Sequence, residues 1–199
     1  MRPLEQRLGA AGYSVRNLDY PSTELSPVEL TALLERELAA CCADAPRLHF
    51  VTHSLGGVLV RAYLAEHRPE NLGRVVMLAP PNHGSELADV LAETTLLRAI
   101  LGPTAAELGT GAQSLPNRLP APWFEVGVIA GTRSLSPLGA YVVPGEDDGT
   151  VSVASTRLDG MRDFIQVDAS HSFIMRSDEV GAQVIEFLRA GRFQPAPSR

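Results

Sequence analysis

A chain of 199 residues with 45% hydrophobic content can bury one good core, and its length suits a single domain. The formal net charge of −6 comes without a block of like charge, and the 17 basic residues, all Arg, are scattered rather than gathered into a stripe, which argues against nucleic acid as a partner. No apolar run approaches the ~18 to 20 residues of a membrane span, so no stable span is expected.

The first residues, Met1 to Gly12, read as an amphipathic helix built on Leu4 and Leu8 rather than as a secretory signal. As written, the chain is expected in the cytoplasm, and an upstream extension with a signal peptide would change that expectation. Tyr13 to Tyr20, with Val15 and Leu18, reads as a strand closing on Pro21-Ser22. Ser26-Pro27-Val28-Glu29 then supplies an N-cap serine, a first-turn proline and a capping-box glutamate, opening a helix from Pro27 to about Cys42. The only cysteines, Cys41 and Cys42, are adjacent. A disulfide between neighbours is strained, so two thiols are expected, and no metal-ligand spacing exists.

Leu48 to Thr52 is a short apolar run that ends in His53-Ser54-Leu55-Gly56-Gly57, after which Val58, Leu59, Ala62, Tyr63 and Ala65 recur with helical period. Arg74 to Ala79 and Trp123 to Ala130 read as buried strands ending at Pro80-Pro81 and Gly131, and Asp163 to Val167 as the last strand. Ser177 caps a final helix whose Val180, Val184, Ile185 and Leu188 share a face, and Gly191 ends it. Residues 84–120 break the alternation. Leu87, Leu91, Leu96, Leu97 and Leu101 give way to a Gly, Pro and Thr-rich stretch, which reads as a lid-like insertion or acyl-binding wall.

Alternating strands and helices predict an α/β fold, a mostly parallel sheet with helices on both faces, forming one domain over residues 1–193 with a frayed tail at 194–199. In such folds functional loops gather at the carboxyl ends of strands. His53-Ser54, Asn82-His83, Asp147-Asp148 and His171 all fall there.

A serine hydroxyl is a poor nucleophile at neutral pH. It must be presented on a sharp turn, within reach of an imidazole and beside N–H groups that can hold an oxyanion. The strand-Ser-helix turn written Gly-x-Ser-x-Gly does this, its glycines being small because they crowd the serine. Here Thr52-His53-Ser54-Leu55-Gly56 keeps the second glycine and replaces the first by a small β-branched residue.

The stretch from Phe50 through Arg61 resembles the nucleophile elbow of bacterial lipases and esterases of the α/β-hydrolase superfamily. Pro80-Pro81-Asn82-His83-Gly84-Ser85 resembles the loop after the next strand, Gly145-Glu146-Asp147-Asp148-Gly149-Thr150-Val151 the acid loop, and His171-Ser172-Phe173 the histidine loop. The order Ser, Asp, His agrees with that superfamily. The resemblance implies a three-layer fold and hydrolysis of a carboxylic ester or lipid through an acyl-enzyme on Ser54. His171 would be the base, Asp148 its orienting acid, and Leu55 N–H an oxyanion donor. Asp147 is the alternative acid, and Asp168 is expected to cap a strand end. His53 should pack or hydrogen-bond beneath the turn, while His49 and His67 should be structural or exposed. His83 and Leu87 border the site as substrate-binding candidates. No metal or cofactor is implied, and a monomer is the default. A thioesterase or acyltransferase would use the same residues.

Members of that superfamily usually begin with an apolar strand ending in His-Gly, whose loop gives a second oxyanion N–H. This sequence opens at what resembles the helix after that loop, so an N-terminally truncated version of the fold is expected, with the second donor unassigned. The competing reading is a weakened or non-catalytic binding protein on a hydrolase scaffold.

Overall fold

The computed structural model describes residues 1–92, 103–104, 107–135 and 137–195. Helix α1 (Arg2–Ala10) and α2 (Pro27–Cys42) precede strand β1 (Leu48–His53), which leads through Ser54 into α3 (Leu55–Glu66) and then β2 (Leu72–Leu78). After β2 come α4 (Glu86–Ala92), the short α5 (Leu115–Arg118) and β3 (Val126–Gly131). Helices α6 (Pro137–Val142) and α7 (Val153–Thr156), β4 (Asp163–Val167), a 3₁₀ turn (Ile174–Arg176) and α8 (Asp178–Ala190) follow among the described residues. The four strands lie in the order β1-β2-β3-β4, all parallel.

Strand periodicity builds the layers. In β2, Val75 and Met77 face one side with Val126 and Val128 of β3, packing against Val60, Tyr63 and Leu64 of α3 and Leu38 of α2. Val76 and Leu78 face the other side with Ile129 and Val167, against Leu4 and Leu8 of α1 and Val180, Val184, Phe187 and Leu188 of α8. Side chains alternate across a strand, so a central strand covered on both faces is apolar throughout. Each such large side chain contributes about 1.5 to 3 kcal/mol by leaving water.

The ends of the helices follow the expected chemistry. Ser26 and Glu29 form the reciprocal capping box of α2, Ser177 caps α8, and Gly191 closes α8 at φ +72°, a left-handed angle that glycine adopts without penalty.

Three local expectations are corrected. Tyr13 to Tyr20 is not a strand: it has no hydrogen-bonding ladder with β1, and Tyr13 and Val15 serve the core as side chains only. β3 starts at Val126, and Trp123 instead donates its indole N–H to Leu64 O at 2.7 Å. Cys41 and Cys42, the last two residues of α2, are joined as a disulfide rather than standing as two thiols.

Of the leucines in the proposed insertion, Leu87 and Leu91 are half-buried on α4, whereas Leu96, Leu97 and Leu101 lie outside the described residues. At the other end Gln194 exchanges two hydrogen bonds with Gln183 of α8, and residues 196–199 lie outside the described residues.

Candidate active site

The carboxyl ends of β1, β3 and β4 bring three side chains together. Ser54 occupies the junction of β1 and α3 at φ +52° and ψ −126°, a conformation that costs a non-glycine residue on the order of 1 to 3 kcal/mol. The turn is tight because α3 presses on the sheet. A Cβ on Gly57 would stand 3.1 Å from Pro80 Cβ and 3.4 Å from Thr52 Oγ1, and one on Gly56 would stand 3.5 Å from Thr52 Cβ. Thr52 fits behind the elbow on these terms, with its hydroxyl buried and unpaired.

His171 reaches the turn from the loop after β4. Its Nε2 accepts from Ser54 Oγ at 3.0 Å, and its Nδ1–H donates to Asp148 Oδ2 at 2.7 Å. A carboxylate can only accept, so the Asp148 contact sets the tautomer and leaves Nε2 free to take the serine proton. Asp148 is 2% exposed. Its other oxygen accepts from the Thr150 and Val151 amides at 3.0 and 2.9 Å, and its carbonyl accepts from His171 N at 2.9 Å. Three hydrogen bonds to the carboxylate satisfy the buried charge, and the bonds to His171 tie the loop after β3 to the loop after β4.

The neighbouring acids are engaged elsewhere. Asp147 accepts from Gly149 N at 2.6 Å, closing its own turn. Asp168 pairs with Arg133, and that guanidinium holds its carboxyl below the usual range. Its partner is thus an arginine side chain.

His53 lies beneath the turn, its Nε2–H donating to the carbonyl of His171 at 2.9 Å. Burial, reinforced by His171, lowers its pKa from 6.5 to about 4. His49 accepts the Arg74 amide at Nδ1, and His67 stacks on Tyr63 and pairs with Glu35, so both serve the fold. His83 is exposed, with Nδ1 3.2 Å from Asn117 Oδ1. Leu55 opens α3, where first-turn amides have no partner inside the helix. Among the described residues no cluster of three or more His, Cys, Asp or Glu could hold a metal ion, and no helix is long and apolar enough to cross a membrane.

One buried group escaped the sequence reading. Arg61 of α3 is 5% exposed and donates to the carbonyls of Asn82, Pro116 and Leu119 and to Asn82 Oδ1 at 3.1 to 3.4 Å. It ties the loop after β2 to α5. A charge inside the apolar run from Val58 to Leu64 was the only signal for it.

The sheet order and the connection of each loop to its strand define an α/β fold of the α/β-hydrolase kind. Its counterparts among solved structures include proteins described as a lipase, a phospholipase and esterases. The mature form of the Bacillus licheniformis lipase BlEst2 matches at TM-score 0.70 and 21% identity, over 94% of this chain and 83% of the lipase. Phospholipase PlaB from Legionella pneumophila matches at TM-score 0.72 and 17% identity, over 96% of this chain but 56% of the phospholipase. A Pyrococcus furiosus esterase matches at TM-score 0.55 and 17% identity, over 95% of this chain and 74% of the esterase. At these identities the likeness is one of fold. No family model and no curated protein matches the chain.

Proposed function

We propose that this protein is a serine hydrolase that cleaves carboxylic esters through an acyl-enzyme on Ser54. The observation that carries the reading is the single imidazole of His171, in hydrogen-bond contact with Ser54 Oγ on one side and the buried Asp148 carboxylate on the other. Ser54 Oγ attacks the acyl carbon while its proton passes to His171 Nε2. The carbonyl electron pair moves to oxygen, where Leu55 N–H receives it. Collapse expels the alcohol, which takes the proton from Nε2, and water repeats the sequence on the acyl-enzyme. Asp148 keeps its charge and steadies the imidazolium.

Substrate contacts belong to the loop after β2 and to α4. Ser85 donates to Thr150 O at 2.7 Å, fixing the start of α4 against the acid loop. This supports Leu87 as part of an acyl wall and His83 as a rim contact. The sheet edge bears on the same reading: β1, the strand that delivers Ser54, has β2 as its only ladder neighbour among the described residues. A further strand at that edge, like the His-Gly strand of the superfamily, is one source of a second oxyanion donor.

The test is turnover of p-nitrophenyl esters of increasing acyl length by the wild type and Ser54→Ala. Hydrolysis that disappears in Ser54→Ala supports the reading and the length series reports the acyl pocket. A folded wild type that turns over none of them leaves the scaffold reading in its place.

A further inference from the structure

A guanidinium carries five N–H groups, and Arg61 uses four of them. Nη1 donates to Asn82 O and Oδ1, and Nη2 to Pro116 O and Leu119 O. The fifth donor, Nε, is buried and has no hydrogen-bond partner among the described residues. All four acceptors are neutral, and Arg61 makes no ion pair among the described residues. A side chain only 5% exposed thus holds a positive charge with no counter-charge and with one donor unmet. Each of these is costly for a buried group.

The unmet donor lies on the side of a pocket. In the planar guanidinium Nε–H runs beside one N–H of Nη2, so it points toward the stretch that Nη2 reaches through Leu119 O. The next residues, 120–124, enclose with Arg61, Leu64 and Ala65 of α3 a pocket of about 10 Å³, room for one water-sized occupant. Trp123 is fixed in that wall by its indole bond to Leu64 O, and the Arg68 guanidinium stands 5.0 Å from its ring, a second positive charge on the same side. Apart from Arg61, the side chains lining the pocket are apolar. A buried water makes about three hydrogen bonds and is poorly served by such walls. A monatomic anion needs the charge and the one donor, and both are present.

We infer that the pocket beside Arg61 Nε binds one monatomic anion, chloride, held by the Nε–H donor and the guanidinium charge. The site does not depend on the proposed role of Ser54. Arg61 ties the loop after β2 to α5, so an ion that offsets its charge stabilises that clamp and, through it, the folded chain. Binding to the folded state alone raises stability with the logarithm of the ion's excess over its Kd.

The experiment is thermal unfolding at constant ionic strength, with sodium chloride replacing sodium gluconate, whose anion is too large for the pocket. The NMR line width of chloride in the presence of the protein is the second readout. Ala65→Leu is the control: it enlarges a side chain in the pocket wall and keeps Arg61 with its four acceptors. The wild-type midpoint should rise by about 3 °C or more between about 1 and about 100 mM chloride. The protein should also broaden the chloride signal, and added bromide should reverse the broadening. Both effects should vanish in Ala65→Leu. An equal rise in the two proteins is a general salt effect and overturns the site, as does a wild-type midpoint indifferent to chloride. Should Ala65→Leu fail to fold, the line width decides: wild-type broadening that bromide reverses upholds the site, and its absence overturns it.

Discussion

His53 Nε2–H donates to the backbone carbonyl of His171 across 2.9 Å, and the two imidazole rings lie 4.8 Å apart between centroids. The residue before Ser54 thus holds the backbone of the residue whose ring touches Ser54, linking the ends of β1 and β4. A hydrogen bond of this kind contributes about 0.5 to 1.5 kcal/mol, and loosening the proposed base would misalign its Nε2. His53→Ala is expected to lower kcat about tenfold with little change in KM. His53→Gln retains a side-chain N–H and should recover part of the loss. Equal losses in the two variants would assign His53 to packing alone.

The same residue makes stability depend on acidity. In the unfolded chain its imidazole takes a proton near 6.5, whereas in the folded protein burial and His171 delay this to about 4. Between those values the unfolded state binds more protons, so the His53 contribution is fully present above about pH 6.5 and is lost as pH falls toward 4. Denaturant titrations at several pH values across this window should show wild-type stability falling toward pH 4, with a shallower fall in His53→Gln. Parallel curves would refute the assignment.

Asp148 and Asp147 are neighbours with separate tasks. Asp148→Asn leaves the shape and removes the charge that fixes the His171 tautomer, so kcat should fall by about three to four orders of magnitude. Asp147→Asn keeps an acceptor for Gly149 N and should retain activity within about tenfold. Steady-state kinetics on both variants decides this, and the reverse ranking would move the acid to Asp147.

Arg61 is a structural clamp on the loop that borders the site. Burial pushes its pKa down to about 10, leaving it charged at neutral pH, with neutral carbonyl and amide oxygens as its partners. Arg61→Met would orphan those oxygens and is expected to lower stability by about 2 to 4 kcal/mol. Arg61→Lys should rescue little, because one ammonium cannot span the same fork. Urea unfolding of the two variants checks both statements.

What the sequence made legible were features set by local chemistry. The capping box at Ser26 and Glu29, the strand-Ser-helix turn and the glycines behind it are each fixed by residues a few positions apart. The sequence narrowed the acid to two adjacent residues, but which carboxylate faces His171 depends on how the turn at Gly149 closes, and that is tertiary. Tyr13 to Tyr20 has strand-like residues, yet a strand exists only where a neighbour pairs with it, and the segment passes β1 without a ladder. Arg61 was invisible for a similar reason: its partners lie 21 to 58 positions away.

The most direct test of the account is covalent. The protein would be treated with a fluorophosphonate, digested, and its modified peptide identified by mass spectrometry, with Ser54→Ala and His171→Ala alongside. The account predicts one adduct, on Ser54, absent in Ser54→Ala and strongly slowed in His171→Ala. A folded protein whose Ser54 stays unmodified, or is modified equally fast without His171, would contradict it.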